Sequence, residues 1–217
     1  MKRTIKIEPS EKDQNSAPRE FYVFNNKLYF NANDGVHGEE LWVYDGINEP
    51  QIFKDINPND NYSDGLSRLF TVFKDQLYFK HDDDVWFYDG INEPRKDSKI
   101  HDDLEFWIQT RDLTVFNDRL LITSSDRILV YDGINPPQEI PINISDNEEL
   151  EMTGGGIVFN EKFYFTIATE TYGEELWFYD GINPAQIVQD IAPNPSGISY
   201  YHGSSFKVTL HKVSFSS

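Results

Sequence analysis

The sequence predicts an all-β fold, a β-propeller of about five small antiparallel blades, and three observations predict it. The first is that Tyr44-Asp45-Gly46-Ile47-Asn48 returns at Tyr88 to Asn92, Tyr131 to Asn135 and Tyr179 to Asn183, with the aspartates 44, 43 and 48 residues apart. A period of that length marks one small sheet repeated along the chain. The second is that each copy is led by strand chemistry: Leu41-Trp42-Val43-Tyr44, Val85-Trp86-Phe87-Tyr88, Ile128-Leu129-Val130-Tyr131 and Leu176-Trp177-Phe178-Tyr179. The third is that alternation sends Leu41 and Val43 to one face and Trp42 and Tyr44 to the other, and both sets are apolar. A sheet with one wet face would alternate apolar with polar, so these sheets need neighbours front and back. Sister sheets stacked around an axis meet that need.

Taken in order, residues 1–20 form an arm and linker, with a short strand expected at Thr4 to Glu8 on the spacing of Ile5 and Ile7. The repeat domain is 21–217, with units at about 21–56, 68–100, 112–144 and 156–191 and a partial fifth at 205–216. Unit one opens with Phe21-Tyr22-Val23-Phe24, turns at Asn25-Asn26 and returns as Lys27-Leu28-Tyr29-Phe30, a tight hairpin. Lys74-Asp75, Asn117-Asp118 and Asn160-Glu161 occupy the same turn in the later units. The strand led by Trp42 or its equivalent comes third. There Asp supplies a side-chain acceptor, Gly a positive φ and the following proline an extended φ, so the chain reverses into a fourth strand such as Gln51 to Ile56. In the last segment Phe206, Val208, Lys212 and Phe215 fall where Phe21, Val23, Lys27 and Phe30 do, so a fifth unit begins. Either the arm strand completes that sheet and hides its edge, or the chain is a piece of a longer array with an open edge for self-association.

Composition narrows the function. With a net charge of −18 the chain has too few Lys and Arg to build a basic patch easily, which disfavours nucleic acid and anionic membranes. No stretch has the length to span a bilayer, and no apolar run of signal-peptide length follows Met1-Lys2-Arg3. The absence of cysteine removes disulfides, thiolate metal sites and thiol nucleophiles.

The units resemble a bacterial propeller-type repeat whose hallmark is Glu-Leu-Trp, two residues, then Asp-Gly, after an Asp-Gly-x-x-Gly loop. Here that is Asp34-Gly35-Val36-His37-Gly38-Glu39-Glu40-Leu41-Trp42-Val43-Tyr44-Asp45-Gly46, and unit four keeps Gly173-Glu174-Glu175-Leu176-Trp177-Phe178-Tyr179-Asp180-Gly181. The layout is more distantly similar to Kelch repeats. The chain departs from these patterns in carrying Ile47, Ile91, Ile134 and Ile182 where the bacterial repeat continues with Thr, in lacking a Gly-Gly pair after Phe30, and in placing Gly154-Gly155-Gly156 before a strand. The resemblance implies a binding or scaffold role without established catalysis, in a large secreted or surface protein.

Candidate sites are few. Asp82-Asp83-Asp84 beside His81 and the loop Asp34 to Glu40 offer hard oxygen ligands, so Asp34, Glu39, Asp82 and Asp84 are the residues to consider for Ca²⁺. The first lacks the spacing of a calcium loop, and Gly35 and Gly38, which allow unusual backbone angles, make the second the better candidate. The five histidines are scattered, no nucleophile elbow is present, and Ser124-Ser125-Asp126-Arg127 lacks the Gly and Trp of a sialidase aspartate box. Trp42, Trp86 and Trp177 recur at one strand position and read as core. Trp107, in Leu104-Glu105-Phe106-Trp107-Ile108, has no counterpart in the other units, and with Tyr172, Tyr200 and Tyr201 it is a candidate to stack on a sugar or anchor a partner. The expectation is a non-enzymatic module that recognises a protein or a glycan through loops at one end. A structural repeat without a ligand is the second reading, and a metal-dependent hydrolase the third.

Overall fold

A computed structural model of the chain describes residues 15–54, 66–81, 84–101, 110–145, 148–191 and 193. They form an all-β fold of the propeller type, with one antiparallel sheet for each copy of the Asp-Gly turn. The arm strand at Thr4 to Glu8 and the partial fifth unit lie outside the described residues, as do Asp82, Trp107, Tyr200 and Tyr201. The chain divides at Ile140 and Pro141 into two units.

The first unit holds three blades. Blade 1 is β1 (Arg19–Phe24), β2 (Lys27–Asn33), β3 (Glu39–Tyr44) and β4 (Gln51–Lys54); blade 2 is β5 (Ser67–Phe73), β6 (Gln76–His81), β7 (Asp84–Tyr88) and β8 (Arg95–Lys96). A single helical turn, α1 (Ser98–His101), follows, which the sequence did not announce. Blade 3 is β9 (Asp112–Phe116), β10 (Arg119–Thr123), β11 (Ile128–Tyr131) and β12 (Gln138–Glu139). In each sheet the strands neighbour one another in chain order.

The inner hairpins turn through two residues of positive φ: Asn25 (47°) and Asn26 (58°), Lys74 (49°) and Asp75 (59°), Asn117 (48°) and Asp118 (54°), and, in blade 4, Asn160 (46°) and Glu161 (59°). Two positive values in succession are the type I′ turn, whose twist matches the strands it joins. Bulges follow in blades 1 and 2, where the register shifts between Arg19 and Tyr22 and between Arg68 and Thr71. Glu20 and Leu69 sit there at φ 55° and 58°. Blade 3 pairs without interruption.

Blades 1 to 3 are joined face to face. Phe24, Tyr29 and Leu41 of blade 1 pack with Leu77, Phe79 and Tyr88 of blade 2. Phe73, Tyr78 and Val85 of blade 2 pack with Leu120, Ile122, Leu129 and Tyr131 of blade 3. The pattern is the same at both joints: Leu-x-Phe or Leu-x-Ile on the second strand and an aromatic pair or Leu-x-Tyr on the third meet the preceding sheet. Hydrogen bonds fix the first joint too. The buried Asn31 side chain donates to the Ser67 carbonyl at 2.6 Å and accepts from the Ser67 N–H at 3.0 Å. The centres of the two joints differ in chemistry. At the first, Phe53 meets Tyr29 and Tyr88 edge-on, with centroids 5.0 and 4.8 Å away. At the second, the corresponding place belongs to Asp97, which accepts from the hydroxyls of Tyr131 at 3.0 Å and Tyr78 at 3.4 Å. Burial, and then the neighbouring carboxylate, push both tyrosine hydroxyls well above their ordinary range.

The second unit holds blade 4: β13 (Leu150–Met152), β14 (Ile157–Phe159), β15 (Lys162–Thr169), β16 (Gly173–Tyr179) and β17 (Gln186–Ile187). The expected first strand at Ile157 is present but divided. β13 pairs with the far half of β15 and β14 with the near half. The break between them contains the three glycines. A Cβ on Gly156 would lie 1.9 Å from the Phe163 ring, so only glycine fits this approach. Trp42 and Trp177 are buried, 8% and 1% exposed, and Trp86 is half-buried, in keeping with a place in the core. One expectation needs correction. Apolar residues on both faces predicted cover on both, yet blade 4 buries one face and opens the other: β15 alternates strictly between buried and half-buried residues. Phe159, Leu176 and Val188 are 59%, 38% and 47% exposed.

Candidate functional site

The most regular surface feature is the Asp-Gly turn between the third and fourth strands. Asp45 Oδ1 accepts from the backbone N–H groups of Ile47 and Asn48, both at 2.8 Å, while Oδ2 accepts from the Asn48 side-chain amide at 2.6 Å. Asp89, Asp132 and Asp180 make the same three bonds within their own turns, at 2.7 to 2.9 Å. The glycines that follow hold φ at +85°, +86°, +82° and +89°, a conformation that costs other residues about 1–2 kcal/mol. Three donors per carboxylate stabilise its charged form. The Asn135 backbone and side chain, then the Ile134 N–H, lower Asp132 to about 2; the Asn183 side chain and backbone, then the Ile182 N–H, lower Asp180 to about 2. Asp45 and Asp89 are lowered by the same kind of bond, from Ile47 and Asn48 and from Asn92 and Ile91.

What the turn takes from each isoleucine is its backbone N–H. The side chains of Ile47, Ile91, Ile134 and Ile182 are left 73%, 88%, 66% and 87% exposed. Within the first unit these tips share an end with the inner hairpin turns. Lys74 Nζ donates to the Asp132 carbonyl at 2.7 Å, and a Cβ on Gly90 would come within 2.8 Å of Asn25 Nδ2. Val23, Val72 and Val115, each two residues before its hairpin turn, are 67%, 38% and 37% exposed. The turn end of blades 1 to 3 therefore presents β-branched apolar side chains on a frame fixed by carboxylate hydrogen bonds. Lys27, Val43, Asp45, Asn48, Glu49 and Gln51 line a shallow, open cleft beside the first tip.

The opposite ends of the blades carry the loops that sequence reasoning favoured. Asp34 Oδ1 accepts from the N–H groups of Val36 and His37 at 2.8 and 2.9 Å, and Oδ2 meets His37 Nδ1 at 2.7 Å. Partial burial works to raise this carboxyl, but the bonds from His37 and Val36 outweigh it and hold it below the ordinary range. Glu39 pairs with Arg19, and Asp84 with Lys96. The structure thus gives Asp34, Glu39 and Asp84 to separate local partners and does not bring them together. Among the described residues no three His, Asp or Glu side chains are grouped to hold a metal. In blade 4, Thr169 Oγ1 takes the place of the Asp34 carboxylate and accepts from Tyr172 N–H at 3.1 Å. The half-buried Tyr172 ring stands edge-on to Trp177 at 5.9 Å, so it covers the core tryptophan. In blade 3, Ser124 Oγ donates to Asp126 Oδ1 at 3.0 Å, and Asp126 pairs with Arg127 at 2.7 Å, a self-contained turn. Ser67 Oγ lies 3.1 Å from His81 Nδ1, but the residues are 0% and 2% exposed, so this pair offers no substrate a way in.

Sequence reasoning missed one carboxylate role. Glu40 and Glu175, the glutamates directly before Leu-Trp, are 2% and 5% exposed. Glu175 Oε1 accepts from the Ile191 N–H at 2.9 Å, tying the connection after blade 4 to the middle of its sheet. A charged residue recurring inside an apolar strand was the available signal.

No family model matches the chain, and no curated protein does. Among solved structures it is similar to the extracellular domain of BT4673 from B. thetaiotaomicron, described in one structure as a one-component and in another as a hybrid two-component system. The first gives a TM-score of 0.55 at 14% identity, covering 85% of this chain and 23% of that one. The second gives 0.46 at 12%, covering 84% and 29%. An α-L-arabinofuranosidase of Clostridium thermocellum gives 0.37 at 11%, covering 87% and 78%. Of the three, only the first is near enough in shape to bear on the fold, and it bears on the fold alone. This chain spans less than a third of the length of either BT4673 domain. No helix among the described residues is long and apolar enough to cross a membrane.

Proposed function

We propose that the chain is a non-enzymatic recognition module in a secreted or surface protein of the Glu-Leu-Trp-x-x-Asp-Gly repeat type, and that it binds a protein through the turn end of its blades. The observation that carries this reading is the isoleucine at the tip of each Asp-Gly turn, 66% to 88% exposed in all four copies. The turn needs only a backbone N–H at that position, so the side chain contributes little to folding. Rigid, repeated apolar tips on a strongly acidic chain suit a partner that supplies apolar pockets with a basic rim. Asp34, Glu39 and Asp84, paired with local groups, lie at the other end of the blades from these tips. Trp107, Tyr200 and Tyr201, outside the described residues, remain the candidates should the ligand of this module be a glycan.

The test replaces Ile47, Ile91, Ile134 and Ile182 together by Thr. The expected result is an unchanged thermal transition with loss of partner capture from extracellular extracts. Capture unaffected by the four substitutions, or a glycan array bound through Trp107 or Tyr201, would contradict it.

A further inference from the structure

Blade 4 has an open face that blades 1 and 2 have closed. In the sheet of blade 4, Ile157 lies opposite Tyr164, Tyr164 opposite Phe178, and Thr166 opposite Leu176, so these side chains share one face with Phe159. That face is apolar and wet: Ile157, Phe159, Leu176 and Val188 are 36%, 59%, 38% and 47% exposed. Its aromatic members touch one another, Phe159 to Tyr164 and Tyr164 to Phe178, both at 6.2 Å. The corresponding residues of blade 1 are Phe24, Tyr29 and Leu41, exposed 5%, 1% and 0%; those of blade 2 are Phe73, Tyr78 and Val85, exposed 1%, 2% and 5%.

What closes the face in blades 1 and 2 is the next blade, through the second-strand pairs Leu77 with Phe79 and Leu120 with Ile122. Removing large apolar side chains from water is favourable, so an apolar face with this shape favours an occupant of the same kind. The chain after blade 4 carries one. Its residues 206–215, outside the described residues, align with the inner hairpin of unit one through Phe206, Val208, Lys212 and Phe215, and Val213 and Phe215 fall where Leu28 and Phe30 do, and so where Leu77 and Phe79 do in unit two.

We propose that the open face of blade 4 is the docking surface for the inner hairpin of the next repeat, supplied by residues 206–215 of the same chain, with Val213 and Phe215 against Phe159, Tyr164 and Leu176. Beside the apolar patch Lys162, opposite Phe159, lays its ammonium over the Phe178 ring at 3.9 Å, at the end of the face where the hairpin turns.

The test uses the full chain with Phe159→Ser, Phe215→Ser and both, followed by thermal unfolding and sedimentation. Each single substitution is expected to lower Tm by about 4 °C or more, with the double variant no worse than the worse single one, in a protein that stays monomeric. A second measurement holds should Phe159→Ser fail to fold. Because the chain has no cysteine, Leu176→Cys with Phe215→Cys gives two unique thiols, and a short bifunctional thiol reagent is expected to link them within one molecule. Links between molecules, with association that rises with concentration, would assign the face to a second copy and overturn the proposal. So would an absent link together with an unchanged Tm in both single variants, which would leave the face bare.

Discussion

At the scale of single residues, the same position at successive blade joints is filled by different chemistry with the same result. Phe53 closes the first joint by ring contacts with Tyr29 and Tyr88, whereas Asp97 closes the second by accepting from Tyr78 and Tyr131. The two solutions do not respond alike to truncation. Asp97→Ala leaves two buried hydroxyls without their acceptor and is expected to cost roughly 2–3 kcal/mol in denaturant unfolding. Adding Tyr78→Phe and Tyr131→Phe to that variant should recover part of the loss, and no recovery would mean that the carboxylate does something other than satisfy the tyrosines. The turn aspartates make a pH prediction. Their folded pKa values lie below the value near 3.9 of an unfolded chain, so their stabilisation is complete above about pH 4 and is lost as the pH falls toward 2. Asp132→Asn keeps an acceptor for the backbone N–H groups of Ile134 and Asn135, gives up the bond from the Asn135 side-chain amide, and removes the titrating group. Melting temperatures from pH 5 to pH 2 should fall less steeply in this variant than in the native chain.

At the scale of elements, the turns were legible and the registers were not. Asp-Gly-Ile-Asn and the two-residue hairpin turns act within four residues, so their chemistry is written locally, and every third strand lies where the repeated Tyr-Asp-Gly placed it. The bulges at Glu20 and Leu69 and the division of the first strand of blade 4 depend on the partner strand, which sequence alone does not show. Glu175 shares the buried face of its strand with Trp177, and its partner there, the Ile191 amide, is sixteen residues away. Acidic spacing likewise does not reveal local partners: Asp34, Glu39 and Asp84 are each engaged by a neighbouring side chain. The glycine run is now assigned. Gly156→Ala forces a methyl group into the fully buried Phe163 ring and is expected to destabilise blade 4 by about 1–3 kcal/mol. Chemical denaturation measures it, and a neutral result would mean that the break between β13 and β14 yields without cost. Glu161, at φ 59° in a turn that favours glycine, gives the opposite sign: Glu161→Gly should stabilise by up to about 1 kcal/mol.

At the scale of the whole molecule, the sheets of the first unit do not stand alone. Apolar residues on both faces require cover, and blades 1, 2 and 3 supply it to one another through two continuous cores. Repeat proteins of this kind gain stability from each interface as well as from each unit. The turn end is then a surface carried on a frame too rigid to collapse around its exposed isoleucines, and the recognition proposed for it depends on the blades being held together. Amide hydrogen exchange tests that dependence most directly, because it reads the free energy of opening strand by strand. The amides of β2, β6 and β10 are expected to exchange slowest and at one common free energy, since opening any of these sheets opens its neighbour's core. Exchange that is fast in β6, or that falls into separate levels for blades 1, 2 and 3, would show sheets that unfold independently and would contradict the account.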